Sequence, residues 1–86
     1  MKKRRYQVPN IIWKDKRIRP EGKYIYGYIL AKGRDRLITD INVGELQQVV
    51  KIKNVGLKKH LERLAELKYL IYQEYDVGMY TITNIY

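Results

Sequence analysis

The chain has 86 residues, a mass of 10.4 kDa and a formal charge of +9, from 18 Lys and Arg against 9 Asp and Glu, which is enough for one hydrophobic core and leaves no room for a second domain. The absence of cysteine excludes disulfides and thiolate chemistry, and a single histidine excludes the usual zinc ligand set. No apolar run approaches the roughly 18 residues of a membrane span, and the basic start Lys2-Lys3-Arg4-Arg5 leads into Tyr6-Gln7-Val8-Pro9 rather than the apolar stretch of a secretory signal, so a cytoplasmic protein is expected.

The charge is unevenly spread. Residues 1–36 carry 12 basic and 3 acidic side chains, residues 37–68 carry 6 and 4, and residues 69–86 carry none and 2. An excess of this size favours a polyanionic partner. Residues 1–7 are expected to form a flexible basic arm, with Lys2, Lys3, Arg4 and Arg5 as candidate phosphate or minor-groove contacts, and residues 8–86 a single domain.

Pro9 is placed to open a short helical turn through Ile12 and Trp13, whose side chains would cover an edge of the core. Lys14 to Arg19 is polar. Pro20 suits the first position of a helix, with Glu21 in the first turn where it complements the helix dipole. That helix is expected to run to about Ala31 and to bury Ile25, Tyr28 and Ile29, with Gly33 as a left-handed cap. Tyr24, Tyr26 and Tyr28 scatter around its cylinder, which favours packing over a base-stacking platform. Leu37 to Ile41, short and β-branched, suits a strand.

Asn42 to Leu70 reads as two helices joined by a tight turn. Asn42 can cap the first, with Glu45 completing a capping-box-like pair, and Leu46, Val49 and Val50 share one face. Ile52 is suited to plug the angle before the second helix, expected at about residues 54–67. If Leu57, Leu61 and Leu64 face inward, the 100° step per residue turns Val55, Lys59, Glu62, Arg63 and Glu66 outward, with Gly56 and Lys58 on the flanks. This is a helix-turn-helix pattern. Its second helix would meet a duplex by its N-terminal turns: Lys53, Lys58 and Lys59 suit phosphates or guanine edges, Asn54 an adenine and Val55 a thymine methyl, with Arg63 farther along the outward face. The bland reading is a solvated face with Lys58–Glu62 spacing, a pairing that contributes only about 0.2–0.5 kcal/mol. Beyond Leu67 the period changes to alternation, and Leu70 to Tyr75, Asp76-Val77-Gly78 and Met79 to Ile85 read as a hairpin that the Leu37 to Ile41 strand can join.

Helix, strand, two helices and a hairpin make an α+β pattern that resembles a winged helix-turn-helix domain: a three-helix core with a small antiparallel sheet. Lys58-Lys59-His60-Leu61-Glu62-Arg63-Leu64-Ala65-Glu66-Leu67-Lys68-Tyr69-Leu70-Ile71 looks like its recognition helix and the step into the wing. Val8-Pro9-Asn10, followed by Asp15-Lys16-Arg17-Ile18-Arg19-Pro20-Glu21-Gly22-Lys23-Tyr24, is similar to the N-terminal domain of phage and plasmid replication initiators and replisome organisers. The resemblance implies sequence-specific binding of double-stranded DNA, as a replication-origin binder or a small transcriptional regulator associated with nucleoid, phage or plasmid DNA. Carried over by position, the contacts fall on Lys53, Asn54, Val55, Gly56, Lys58 and Lys59. The chain departs from the pattern in having Lys51 at a turn position commonly glycine, Lys53 at the usual Ser or Thr cap, and a wing, Glu74 to Gly78, without a basic residue. The Lys2 to Arg5 arm would compensate for that acidic wing.

Catalysis is not expected. The chain has no serine or cysteine, His60 falls between outward Lys59 and inward Leu61, and no carboxylate pair shares an apolar pocket. No cofactor, metal or small-molecule substrate is implied. A second function class is a protein-interaction module using the acidic hairpin and Tyr69, Tyr72, Tyr75 and Tyr80. The same tyrosines suit a homodimer interface.

Overall fold

The computed structural model describes residues 9–33 and 36–85; the expected basic arm, with Lys2, Lys3, Arg4 and Arg5, lies outside them. Pro9 lacks a donor and its carbonyl is free to accept, so it opens the one-turn helix α1 (Asn10–Trp13) by taking the amides of Ile12 and Trp13 at 3.0 and 2.9 Å. Adjacent helical positions point about 100° apart. Ile12 is therefore buried, whereas Trp13 is 58% exposed and carries the Lys23 ammonium 5.6 Å above its ring. Trp13 thus covers less of the core than expected.

Helix α2 (Pro20–Gly33) begins at Pro20 and buries Gly22, Ile25, Tyr26, Ile29 and Gly33, a face with spacings of three and four residues. Tyr26 takes the core position expected of Tyr28. Its ring is fully buried and its hydroxyl donates to Asn84 Oδ1 at 2.6 Å. Both tyrosines satisfy helical spacing with Ile25 or Ile29, but only Tyr26 lies in line with Gly22 and Gly33, where neighbouring elements come close. Gly33 is not the left-handed cap expected of it. It ends the helix within ordinary helical geometry, and a Cβ there would stand 2.1 Å from Thr39 Oγ1. The glycine serves close approach of helix to strand.

Strand β1 (Ile38–Asn42) leads directly into the single turn α3 (Val43–Leu46), because Asn42 is both the last extended residue and the cap: its Oδ1 accepts the Glu45 amide at 2.7 Å. The reciprocal half of the capping box is absent. Glu45 turns instead to the Lys32 ammonium, a charged donor 2.5 Å away. The expected helix through Val50 stops at Leu46. The Leu46 carbonyl accepts from both Val49 and Val50, Gln47 Nε2 folds back to the Ile52 carbonyl at 2.9 Å, and Val49 is left 51% exposed. Two consecutive β-branched valines favour that stop. Ile52 is partly buried against the core, as its position before α4 suggests.

Helix α4 (Asn54–Glu66) buries Leu57, Leu61 and Leu64, and the hairpin β2 (Leu70–Asp76) and β3 (Met79–Asn84) follows. The three strands form one antiparallel sheet in the order β1-β3-β2, with Ile41 opposite Tyr80 and Tyr72 opposite Ile82. The fold is a small α+β domain of four helices and a three-stranded antiparallel sheet among the described residues. The three helices expected of the core are α2, α3 and α4, and α1 is the short helical turn expected after Pro9; α1 and α3 are single turns that cover the core between α2, α4 and the sheet. The hairpin turn is held down. Gly78 has φ +74°, its carbonyl accepts the Val43 amide at 2.8 Å, and a Cβ on it would meet Val43 Cγ1 at 2.8 Å.

Helix α4 ends in a Schellman-type closure, with the Lys68 amide bonding the Ala65 carbonyl at 2.9 Å and the Tyr69 amide bonding Leu64 at 3.0 Å. The left-handed residue that closure requires is Lys68, at φ +68°. A side chain there has an unfavourable contact with its own backbone. Lys68→Gly is expected to stabilise the domain by about 0.5–1 kcal/mol, read as a higher denaturant midpoint at constant m-value; an unchanged or lower midpoint would count against this account of the turn.

Candidate nucleic-acid interface

Lys53 precedes α4 in an extended conformation and its carbonyl accepts the Leu57 amide at 2.9 Å, so the helix starts without a side-chain cap. With its three leucines committed to the core, α4 exposes Val55, Lys59, Glu62, Arg63 and Glu66, the outward set expected from the helical step. Lys51, Lys53 and Lys59 make no ion pair among the described residues, while Arg63 reaches Glu66 at 3.3 Å. Val55 is 63% exposed. Gly56 is half-buried because Ile52 packs over it: a Cβ there would stand 3.4 Å from Ile52 Cγ1.

The sheet side of the same helix turn is closed. Tyr80 donates its hydroxyl to Asn54 Oδ1, and Asn54 Nδ2 points to Glu74 Oε2 at 3.5 Å. Glu74 also accepts the Gly78 amide at 3.1 Å and pairs with Lys58 Nζ at 3.0 Å. The Lys58 ammonium, then the Gly78 amide, hold the Glu74 carboxyl below its ordinary range, and the Glu74 charge in turn raises Lys58. Burial, and secondarily Glu74, raise the Tyr80 phenol. Asn54, expected to face a base, is therefore turned inward and held by Tyr80 and Glu74. Lys58 is half-exposed with its charge already matched.

On the other flank lies a groove that residue-by-residue reading did not anticipate. It has a volume of about 590 Å³ and is bounded by the loop before α2, the start of α2, the Val50–Ile52 turn and α4. Arg17, Arg19, Lys51, Lys59 and Arg63 line it, against the single carboxylate of Glu21. Arg17 is fixed by Asp15 through Nε and Nη2 at 2.9 and 2.8 Å, and Tyr69 donates its hydroxyl to the same carboxylate at 2.8 Å. Those bonds, led by Arg17, hold Asp15 well below the usual carboxylate range, and Asp15 raises the Tyr69 phenol. The available signal was Ile18, a lone apolar residue in a basic loop. Buried at 4% exposure, it anchors the loop and presents Arg17 and Arg19 on either side.

His60 forms part of the groove wall, and a Cβ on Gly22 would stand 3.3 Å from its Nδ1. Burial lowers its pKa, with smaller opposed effects from Glu21 and Arg19. Below its ordinary value of 6.5, the unfolded chain takes up a proton that the folded imidazole resists, so folding stability falls as pH drops through that value. Denaturant midpoints of the unaltered chain should decline between about pH 7.5 and 5.5, and His60→Gln should flatten that decline; equal slopes would refute the assignment. The depressed carboxyls of Glu45 and Glu74 act the same way at lower pH, their contribution being present above 4.5 and lost as they protonate.

Among the described residues no group of three metal-ligating side chains converges and no helix is long and apolar enough to cross a membrane. No protein-family model, no curated protein and no solved structure matches the chain.

Proposed function

We propose that this domain is a winged helix-turn-helix module that binds double-stranded DNA, with α4 as the helix entering the major groove. Its class of action is replication-origin binding or transcriptional regulation of phage or plasmid type. The observation that carries this reading is the group of cations formed by Lys59 on the exposed side of α4, Lys51 and Lys53 just before that helix, and Arg19 and Arg17 across the groove. Unpaired ammonium groups on a helix face, next to an arginine-bearing loop, suit a rigid array of phosphates. Val55 replaces Asn54 as the candidate for a base edge, since Asn54 is occupied. The hairpin has no basic residue and its turn is bonded to α3, so backbone grip comes from the α2 side rather than the wing.

The protein-interaction reading is weaker on this structure. Of Tyr69, Tyr72, Tyr75 and Tyr80, Tyr69 and Tyr80 are buried and Tyr72 is partly buried, which leaves Tyr75 as the exposed member. Selection from a random pool of duplexes tests the proposal: enrichment of a common sequence supports it, with a palindrome pointing to a dimer and an asymmetric site to a monomer. A pool that stays unenriched after repeated rounds at moderate salt would contradict sequence-specific binding.

A further inference from the structure

The groove beside α4 has a feature that duplex phosphates do not use. Beneath its cationic rim the floor is apolar, formed by the partly exposed Ile52 over the buried Ile18, with Gly22 and Gly56 contributing no side chain. The glycines let the elements around it pack closely. A Cβ on Gly22 would stand 3.0 Å from Ile18 Cγ2, and one on Gly56 3.4 Å from Ile52 Cγ1. A duplex backbone is a convex ridge of phosphates and sugars, which cations satisfy and an apolar floor does not. A volume of about 590 Å³ is instead that of a small-molecule site, for which roughly 300–1,000 Å³ is typical. The imidazole of His60 in the wall supplies a flat face and two ring nitrogens, one donor and one acceptor when neutral.

The charge sets the number of phosphates. Arg17 is held by Asp15, so Arg19, Lys51, Lys59 and Arg63 remain, against Glu21 and the exposed Glu66 that pairs with Arg63, a formal excess of two positive charges. Four cationic side chains spread around one groove suit a chain of phosphates better than one.

We propose that the groove binds a nucleoside di- or triphosphate, with the base on Ile52 beside His60 and the phosphates between Arg19, Lys51, Lys59 and Arg63. Nucleotide binding stands on the groove alone. Its regulatory consequence rests on the DNA reading above: Lys59 and Arg63 belong both to the groove and to the exposed face of α4, so nucleotide and duplex withdraw cations from one another, and each weakens the other by the same factor.

Calorimetric titration of the full chain with the four ribonucleoside triphosphates, with a free nucleoside and inorganic triphosphate as the two halves, tests the site. Amide chemical shifts locate it. The expected result is one saturable site whose tightest nucleotide binds about tenfold better than either half, with the largest shifts at Gly22, Gly56 and His60. Arg19→Ala and Lys51→Ala should each weaken it by about three- to tenfold. Inorganic triphosphate binding as tightly as the nucleotide would reveal an adventitious anion only and overturn the proposal, as would shifts centred elsewhere or indifference to both substitutions. A short single-stranded oligonucleotide displacing the nucleotide from the same residues at far lower concentration would reassign the site to an unpaired strand. Duplex binding measured on the same preparation separates the two ideas. Duplex without nucleotide sinks this inference alone; nucleotide without duplex sinks the DNA reading alone.

Discussion

Lys53→Ala combined with Lys59→Ala should weaken duplex binding and reduce the slope of log K against log salt by about 1.8, because each phosphate contact contributes about 0.9. Lys53 immediately precedes α4 and Lys59 lies near its middle on the exposed face, and neither has an ion-pair partner among the described residues. Anisotropy titrations between about 50 and 200 mM salt would read the change directly. Lys58→Ala should do less, since its charge is already matched by Glu74 at 3.0 Å. Glu74→Gln should act in the opposite direction by releasing that ammonium to the solvent side. A double variant that keeps the parent slope would mean these cations do not meet phosphates, and a loss of affinity confined to one sequence with little slope change would place Lys59 on a base edge instead.

Gly33→Ala should destabilise the domain by about 1–3 kcal/mol, the range for forcing a methyl into a packed site. This reverses the usual sign. In an exposed helix the same change gains about 0.5–1 kcal/mol. The reason is Thr39 Oγ1, on a buried strand residue, which lies 2.1 Å from where the new carbon would sit and must shift to admit it. The partner change should restore part of the loss. Thr39→Ala removes Oγ1 and Cγ2 and leaves Cβ at 3.4 Å, an ordinary contact, so the double variant should be more stable than the sum of its singles by about 1 kcal/mol or more. Thermal melts of the four proteins decide it, at roughly 4–8 °C per kcal/mol for a domain of this size. Strict additivity would show that the two residues do not meet.

How far the sequence could be read depends on the range of each interaction. The outward face of α4 followed from Leu57, Leu61 and Leu64, because helical spacing is local and three leucines leave one solution. The hairpin was equally legible through Gly78, whose positive φ is a property of one turn. The end of α3 was not, since it depends on Gln47 folding back to the Ile52 carbonyl, and periodicity alone carries the helix on to Val50. The choice of Tyr26 over Tyr28 turned on where Thr39 and His60 approach α2, information held outside that helix. Asn54 was misplaced for the same reason: its partners Tyr80 and Glu74 are 26 and 20 residues away. The groove was the least legible feature. It joins a loop near residue 18, a turn near residue 51 and one face of α4, and only the charge excess of the N-terminal third hinted that part of it existed.

The central position of β3 bears on how the chain reaches this state. The hairpin β2–β3 closes across the two residues Val77 and Gly78, whereas β1 must find β3 from far away, as in the Thr81–Asp40 hydrogen bond that spans 41 residues. Loop-closure entropy makes the second event the slower one. Helix α4 and the hairpin can assemble first on local contacts, and β1, bringing α2 with it through Gly33 and Thr39, docks onto an edge already formed. Substitutions at that seam would then be felt mainly as faster unfolding, with refolding little changed, so the lifetime of the folded domain is set at the seam between α2 and the sheet, away from α4.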